Sequence, residues 1–277
     1  MGTFRYVLAD VFTDVPLAGN QVAVFTDARG IPEERLQPLA RETNLSETVY
    51  VYPAADDGHA RIRIFTPTLE LPFAGHPVLG TAFVLAQPLQ LDEIRLETGA
   101  GVVPVRLERD GPRIGFGWMR QPAFTWEPYE QAEELLALLG VEKSGLPVEA
   151  YHQGPGHVIV ELASPEAVVA LRPDFGRLEE LSPYGTVCFA RDGETWKTRV
   201  FVPAHGVPED PATGSAAGPL ALHLARHGRI AFGAEIVIRQ GDEVGRPSTL
   251  HAVARSADEV EVGGSAVVVA RGEFRLP

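Results

Sequence analysis

Glu47 stands in Asn44-Leu45-Ser46-Glu47-Thr48, at the entrance to the strongly apolar stretch Thr48–Tyr52. A carboxyl group between residues that read as buried is poorly solvated. Its charged form is disfavoured, its pKa rises toward neutrality, and it becomes suited to moving protons. The competing reading is an acid exposed on a loop, the commoner situation for glutamate. Two more ionisable groups stand where apolar runs begin. His76 lies in Pro72-Phe73-Ala74-Gly75-His76-Pro77, ahead of Val78–Ala86, and Asp210 lies in Glu209-Asp210-Pro211-Ala212-Thr213-Gly214-Ser215, ahead of Ala216–Ala225. Each run reads as a helix, whose first turn has free backbone N–H groups and the positive end of a dipole. Such an end can hold a carboxylate. Gly75, Gly214 and Ser215 are thereby candidates for binding. Taken singly, the glycines are turn residues, Ser215 a cap, His76 a satisfied structural histidine and Asp210 a turn residue before Pro211. Two copies, each with its own ionisable group, favour function.

These positions are set by a repeat. Gly75 and Gly214 are 214−75 = 139 residues apart, as are Ala86 and Ala225, which is half of 277. Solenoid periods are shorter, about 20–50 residues, so the chain reads as two similar halves. Gly156-His157-Val158-Ile159-Val160 echoes Gly19-Asn20-Gln21-Val22-Ala23, Thr186–Ala190 echoes Thr48–Tyr52, and Lys197–Phe201 echoes the strand ending at Phe65. Each half carries alternating strand patterns and one helix without charge in its apolar run (Pro77–Gln87; Ala216 onward), which must be buried on all sides. The expected class is α+β: two pseudo-symmetric domains, each a mostly antiparallel, barrel-like sheet wrapped round a central apolar helix. The expected bounds are 1–127 and 128–271, with a linker near Trp126–Gln131 and the tail 272–277 returning to the first half. The last repeat strand is expected to run through Val260–Val269.

Net charge is −13, which argues against a general nucleic-acid binder but not against a small anionic substrate. No apolar run approaches the roughly 20 residues of a membrane span, and the start reads as a strand rather than a signal peptide; a cytoplasmic enzyme is expected. The one cysteine, Cys188, sits in an apolar run and reads as a buried structural thiol. His223 and His227 are four apart on an expected helix and share a face. A zinc site needs a third ligand, and nothing nearby in sequence forces one, so no metal is expected. No glycine-rich or lysine phosphate loop implies a nucleotide, and no cofactor is expected. Ser215 in Thr-Gly-Ser-Ala-Ala-Gly superficially matches a nucleophile elbow, but that motif belongs on a parallel sheet.

Together these segments resemble the phenazine-biosynthesis PhzF-like isomerase family, within the diaminopimelate-epimerase fold superfamily. The matching stretches are Asp10-Val11-Phe12-Thr13 with Pro16-Leu17-Ala18-Gly19-Asn20, Asn44–Thr48, Phe65-Thr66-Pro67 with Glu70 and Pro72–Pro77, and Pro208–Ala216. They cover nearly the whole chain. The resemblance implies two similar domains with the site in the cleft between them, and a homodimer. Epimerases of the superfamily place two cysteines at the two helix starts; with one cysteine here, two-thiol epimerisation is out. The PhzF-type enzyme isomerises a dihydro-hydroxyanthranilate, moving a proton and double bonds with one glutamate. Glu47 matches that glutamate, and His76, Asp210 and Ser215 match its partners. Asn20, Gly75, Thr213 and Gly214 lie in the same motifs and are expected to bind substrate with Ser215. Two positions depart from the family pattern: Gln21, where proline is common, and Ala217-Gly218-Pro219, where polar or thiol-bearing residues are frequent and which is expected to border the pocket.

The expected function is cofactor-independent isomerisation, in which Glu47 takes a proton from one carbon and returns it to another. His76 and Asp210 would hold the substrate's polar groups. The rivals are a silent small-carboxylate binder of the same fold and a hydrolase using Ser215.

Overall fold

The computed structural model describes residues 2–152 and 156–276. Met1 and Pro277, at the outer ends of the expected halves, lie outside the described residues. The chain is mixed α and β, and eighteen strands form one hydrogen-bonded network among the described residues.

The pairing signs repeat in order along the chain. Asn20–Phe25 runs parallel to Glu47–Tyr52, which pairs antiparallel with Ala60–Phe65, itself parallel to Glu93–Thr98. Gly156–Glu161 runs parallel to Gly185–Asp192, then antiparallel to Thr195–Val202, itself parallel to Glu235–Gln240. Antiparallel ladders complete each series, through Gly101–Asp110 and Arg113–Arg120 in the first and Ser248–Ala254 and Val260–Gly264 in the second. The two closing strands then pair with each other, Gly263 opposite Trp118.

Two expectations are corrected. The stretch expected as one strand, Val260–Val269, divides at Ser265 into Val260–Gly264 and Ala266–Leu276. The second piece pairs along all of Gly2–Val11, from Gly2 opposite Leu276 to Val11 opposite Ala266, so the return to the first half begins at residue 266. The division follows from two competing partners: Val260–Gly264 is drawn to Arg113–Arg120, and Ser265 carries the chain across, its carbonyl taking the Phe12 N–H at 2.8 Å. The expected linker is partly a strand, because Thr125–Pro128 pairs with Glu149–His152, Trp126 opposite Tyr151.

The two apolar helices run from Gly75 to Leu89 and from Gly214 to Arg226. Every residue from Gly75 to Phe83 and from Gly214 to Ala225 is buried, as the lack of charge in those stretches demands. Full burial of each Leu, Val or Phe contributes about 1.5–3 kcal/mol. The helices begin two residues before the expected Pro77 and Ala216. Pro77 is thus third in its helix, still within the first turn, where a missing N–H costs no intrahelical bond. The two starts meet backbone to backbone. A Cβ on Gly75 would lie 2.6 Å from the Ser215 nitrogen, and one on Gly214 would lie 3.1 Å from the His76 nitrogen. Only glycine at position 75 permits that approach. One contiguous core includes Val78, Leu79 and Phe83 from the first helix and Leu220, Leu222 and Leu224 from the second.

Candidate active site

The meeting of the two helix starts brings all eight sequence-selected residues to one place. Asn20 begins its strand beside the Gly75 helix. Its amide Nδ2 donates to Asp210 Oδ1 at 2.8 Å and the Ala212 carbonyl at 2.9 Å, and lies 3.2 Å from His76 Nδ1. An amide nitrogen facing that ring atom makes Nδ1 the acceptor and places the ring proton on Nε2. Nε2 lies 3.1 Å from the Gln21 carbonyl and 3.3 Å from Glu47 Oε2. Burial lowers His76 to a pKa of about 3, and the helix N-terminus also opposes a cation there, so the ring is neutral.

Glu47 opens the strand Glu47–Tyr52, and its side chain is 15 % exposed. Oε2 is buried without a hydrogen-bond partner among the described residues. Burial first, and the nearby Asp210 charge second, raise its pKa well above the usual carboxylate value. Asp210 is buried as well, but better supplied. Oδ1 accepts from Asn20 and from Ser46 Oγ at 3.1 Å, and Oδ2 accepts from Thr213 Oγ1 at 2.7 Å. Burial lifts it to about 6, and these three donors limit the rise. Of the two acids, Glu47 is the one that holds its proton to higher pH. Three donors favour charge on Asp210, while the unpartnered Oε2 favours the proton on Glu47.

Glu47, Asp210, Thr213 and Ser215 line a cavity of about 30 Å³ together with His157 and His205. That is room for roughly one water. Ala217, Gly218 and Pro219 do not line it, which corrects the expectation that this departure borders the pocket. Gly218 faces Gln121 instead, and a Cβ there would overlap the Gln121 amide oxygen. Gln21 contributes its carbonyl, which any residue type supplies.

Sequence reasoning missed several supporting groups. Gln240 locks the Asp210–Thr213 turn, donating from Nε2 to the Asp210 carbonyl at 2.7 Å and accepting from the Thr213 N–H at 3.2 Å. Gln121 donates to the Gly214 carbonyl at 2.9 Å. His157 Nε2 lies 2.9 Å from Ser215 Oγ. A signal for His157 existed, because the repeat aligns it with Asn20.

The third ligand not found for His223 and His227 is also present. Glu149 Oε2 lies 3.2 Å from His223 Nδ1 and 3.2 Å from His227 Nε2, a group that could hold a metal ion. Arg226 Nη1 approaches the same oxygen at 2.6 Å. Burial pushes Glu149 up, but hydrogen bonds from Arg226, His227 and Tyr151 outweigh it and bring the carboxyl to about 2. The guanidinium already neutralises the charge a metal would need. Cys188 is buried, which pushes its thiol up to about 12. Among the described residues, no helix is long and apolar enough to cross a membrane.

The fold recurs in known proteins. The family described as phenazine biosynthesis-like protein (PhzC-PhzF) matches residues 9–272. The chain belongs to that family. It is 50% identical to a trans-2,3-dihydro-3-hydroxyanthranilate isomerase of Pseudomonas aeruginosa, over 98% of this chain and 99% of that protein. It is an isomerase. A crystal structure of a Bacillus anthracis phenazine biosynthesis protein of the PhzF family superposes with TM-score 0.87 at 25% identity, covering all of both chains. A hydroxyproline epimerase of Agrobacterium vitis shares the fold alone, at TM-score 0.69 and 13% identity, over 98% of this chain and 91% of that one.

Proposed function

We propose that the chain is a cofactor-independent isomerase that moves a proton and double bonds on a small carboxylate-bearing ring, the dihydro-hydroxyanthranilate of its relatives being the substrate. The observation that carries this reading is Glu47: a buried carboxyl with an unpartnered oxygen, 3.3 Å from a neutral His76 and coupled to Asp210. Sequence reasoning had Glu47 take the first proton. The hydrogen bonds favour the reverse order, with Glu47 giving its proton to one ring carbon and its carboxylate then removing the proton from another. The charge between the two steps is spread over the conjugated substrate and faced by ionised Asp210. His76, Asn20 and Thr213 orient the substrate and the two acids. The free N–H groups after Gly75 and Gly214, with Ser215, hold the substrate carboxylate. A ring of this size does not fit 30 Å³, so binding requires the site to open and then close, which excludes water.

Two domains, 1–127 and 128–265 with the return strand Ala266–Leu276 on the first, belong to the same reading. The repeated pairing signs support them. A homodimer, on the family resemblance, also belongs to this reading, as do a cytoplasmic setting and no cofactor or nucleic-acid partner, on charge and motifs. The Ser215–His157 pair is a feature a hydrolase would use, but among the described residues His157 Nδ1 is buried with no hydrogen-bond partner, so no carboxylate orients it.

Turnover of trans-2,3-dihydro-3-hydroxyanthranilate in heavy water tests the activity. Isomerised product carrying deuterium at the protonated carbon is expected. Binding without product or exchange would instead favour the silent binder. A pH profile tests the acid pair. Below about pH 6 protonation of Asp210 removes the negative charge that faces the developing cation, and at high pH Glu47 loses the proton it must give. The expected kcat/KM profile is bell-shaped with its acid limb near 6; an acid limb below pH 5 would remove the coupled pair from the mechanism.

A further inference from the structure

The repeat aligns two contacts at the helix starts. In the first half the residue after Gly19, Asn20, touches the residue after Gly75, His76. In the second half the residue after Gly156, His157, touches the residue after Gly214, Ser215. The first contact has an evident purpose, since Asn20 fixes which ring nitrogen of His76 bears the proton. The second has been given none.

We propose that His157 is a positioning residue for the substrate carboxylate: its Nε2–H donates to Ser215 Oγ, so that the Ser215 hydroxyl proton is turned toward the bound carboxylate. The inference rests on the reading of the helix starts as a carboxylate pocket. A serine hydroxyl has one proton and can accept elsewhere. If His157 Nε2 were the acceptor, that one proton would be spent on the ring. The structure favours the donor form. His157 is buried, and its Nδ1 has no hydrogen-bond partner among the described residues. The α-carbon of Gly185 packs against that nitrogen; a Cβ added there would lie 2.7 Å from it. A C–H group facing the ring suits a bare lone pair and opposes an N–H. The proton therefore sits on Nε2, opposite Ser215. Burial, together with the nearby His205 and His152, holds His157 at about 3, so the ring stays neutral with a single N–H.

The test uses the full chain and anthranilate, a carboxylate that cannot be isomerised. Nitrogen-15 NMR of the ligand-free protein is expected to show His157 protonated at Nε2 and bare at Nδ1; the reverse pattern overturns the proposal. Calorimetry is expected to show His157→Phe weakening anthranilate by about tenfold, the loss of one hydrogen bond to a charged group. His157→Gln, which keeps a donor, should recover most of that affinity. Combining His157→Phe with Ser215→Ala should cost no more than Ser215→Ala alone. Equal losses in the Phe and Gln variants, penalties that add, or wild-type protein that does not bind anthranilate would each overturn it. Wild-type protein that binds anthranilate but leaves the dihydro-hydroxyanthranilate unchanged would count against the proposed reaction while leaving the positioning role supported.

Discussion

Glu47→Gln is expected to lower kcat by a factor on the order of 10²–10⁴, the range general acid–base groups supply, and to abolish solvent deuterium in the product. Substrate affinity should change little, because Gln keeps the shape of the side chain and Glu47 makes no hydrogen bond through Oε2 among the described residues. The same variant is expected to be more stable than the wild type at neutral pH. Glu47 has a folded pKa raised above 4.5, so the folded state binds more protons than the unfolded state between those two values. Stability contributed by this site therefore falls as pH rises through that window. Above the folded pKa the buried charge costs its full amount; below about pH 4.5 both states are protonated and the cost disappears. The expected melting temperatures thus separate at pH 8 and converge at pH 4. A variant with undiminished deuterium exchange would take Glu47 out of the chemistry. One that is inactive and also destabilised at pH 8 would make it a structural acid.

The site was legible where the sequence wrote it in local signals. Gly75 and Gly214 stood out because the 139-residue repeat placed the same small residue before two chargeless runs. The structure gives both a steric reason in the backbone contact at residues 75, 214 and 215. Glu47 could be singled out because an acid before Thr-Val-Tyr-Val-Tyr has little water to face. The groups that hold these residues were not legible. Gln240 and Gln121 act through amide hydrogen bonds to the backbone, which impose no pattern on their own neighbours. His157 lay in plain view in the repeat, opposite Asn20, but a lone histidine on an apolar strand has the same appearance whether it packs or positions. The short strands Glu70–Leu71, Thr125–Pro128, Glu149–His152 and Val207–Asp210 also escaped notice. Runs of two to four residues are too brief to show a period of two, and distant partners decide them. Helix starts were placed late because Pro77 reads as a first helical residue, whereas the close approach at Gly75 sets the true start.

Arg246→Met is expected to destabilise the protein by about 3–5 kcal/mol, the cost of leaving a buried charge without its partner. Asp10 is fully buried, and Arg246 Nη2 donates to its Oδ1 at 2.6 Å. The other carboxylate oxygen accepts from the Leu17 N–H at 2.7 Å. Arg246 also donates to the carbonyls of Ala18 at 2.7 Å and Gly19 at 2.6 Å. One guanidinium from residue 246 thus ties both ends of the turn 12–19, which includes left-handed backbone at Phe12 and Leu17 (φ +63° and +69°). Conformations of that kind persist only where surrounding contacts over-determine them. Asn20 follows directly, so the clamp also sets the amide that orients His76 and Asp210. Denaturant unfolding should show the loss, and kcat/KM should fall with it, since a displacement of about 1 Å can cost 10²-fold in rate. Asp10→Asn in the Arg246→Met background separates the two effects. It removes the orphaned charge and should recover stability, but it does not restore the donors to Ala18 and Gly19, so activity should stay low. A double variant that recovers both would reduce Arg246 to a counter-ion. A single variant that loses less than about 1 kcal/mol would mean the pair behaves like a solvent-exposed one, and the turn would then have to be held by backbone bonds, among them those of Gly19 with Pro247 and of Phe12 with Thr249 and Ser265.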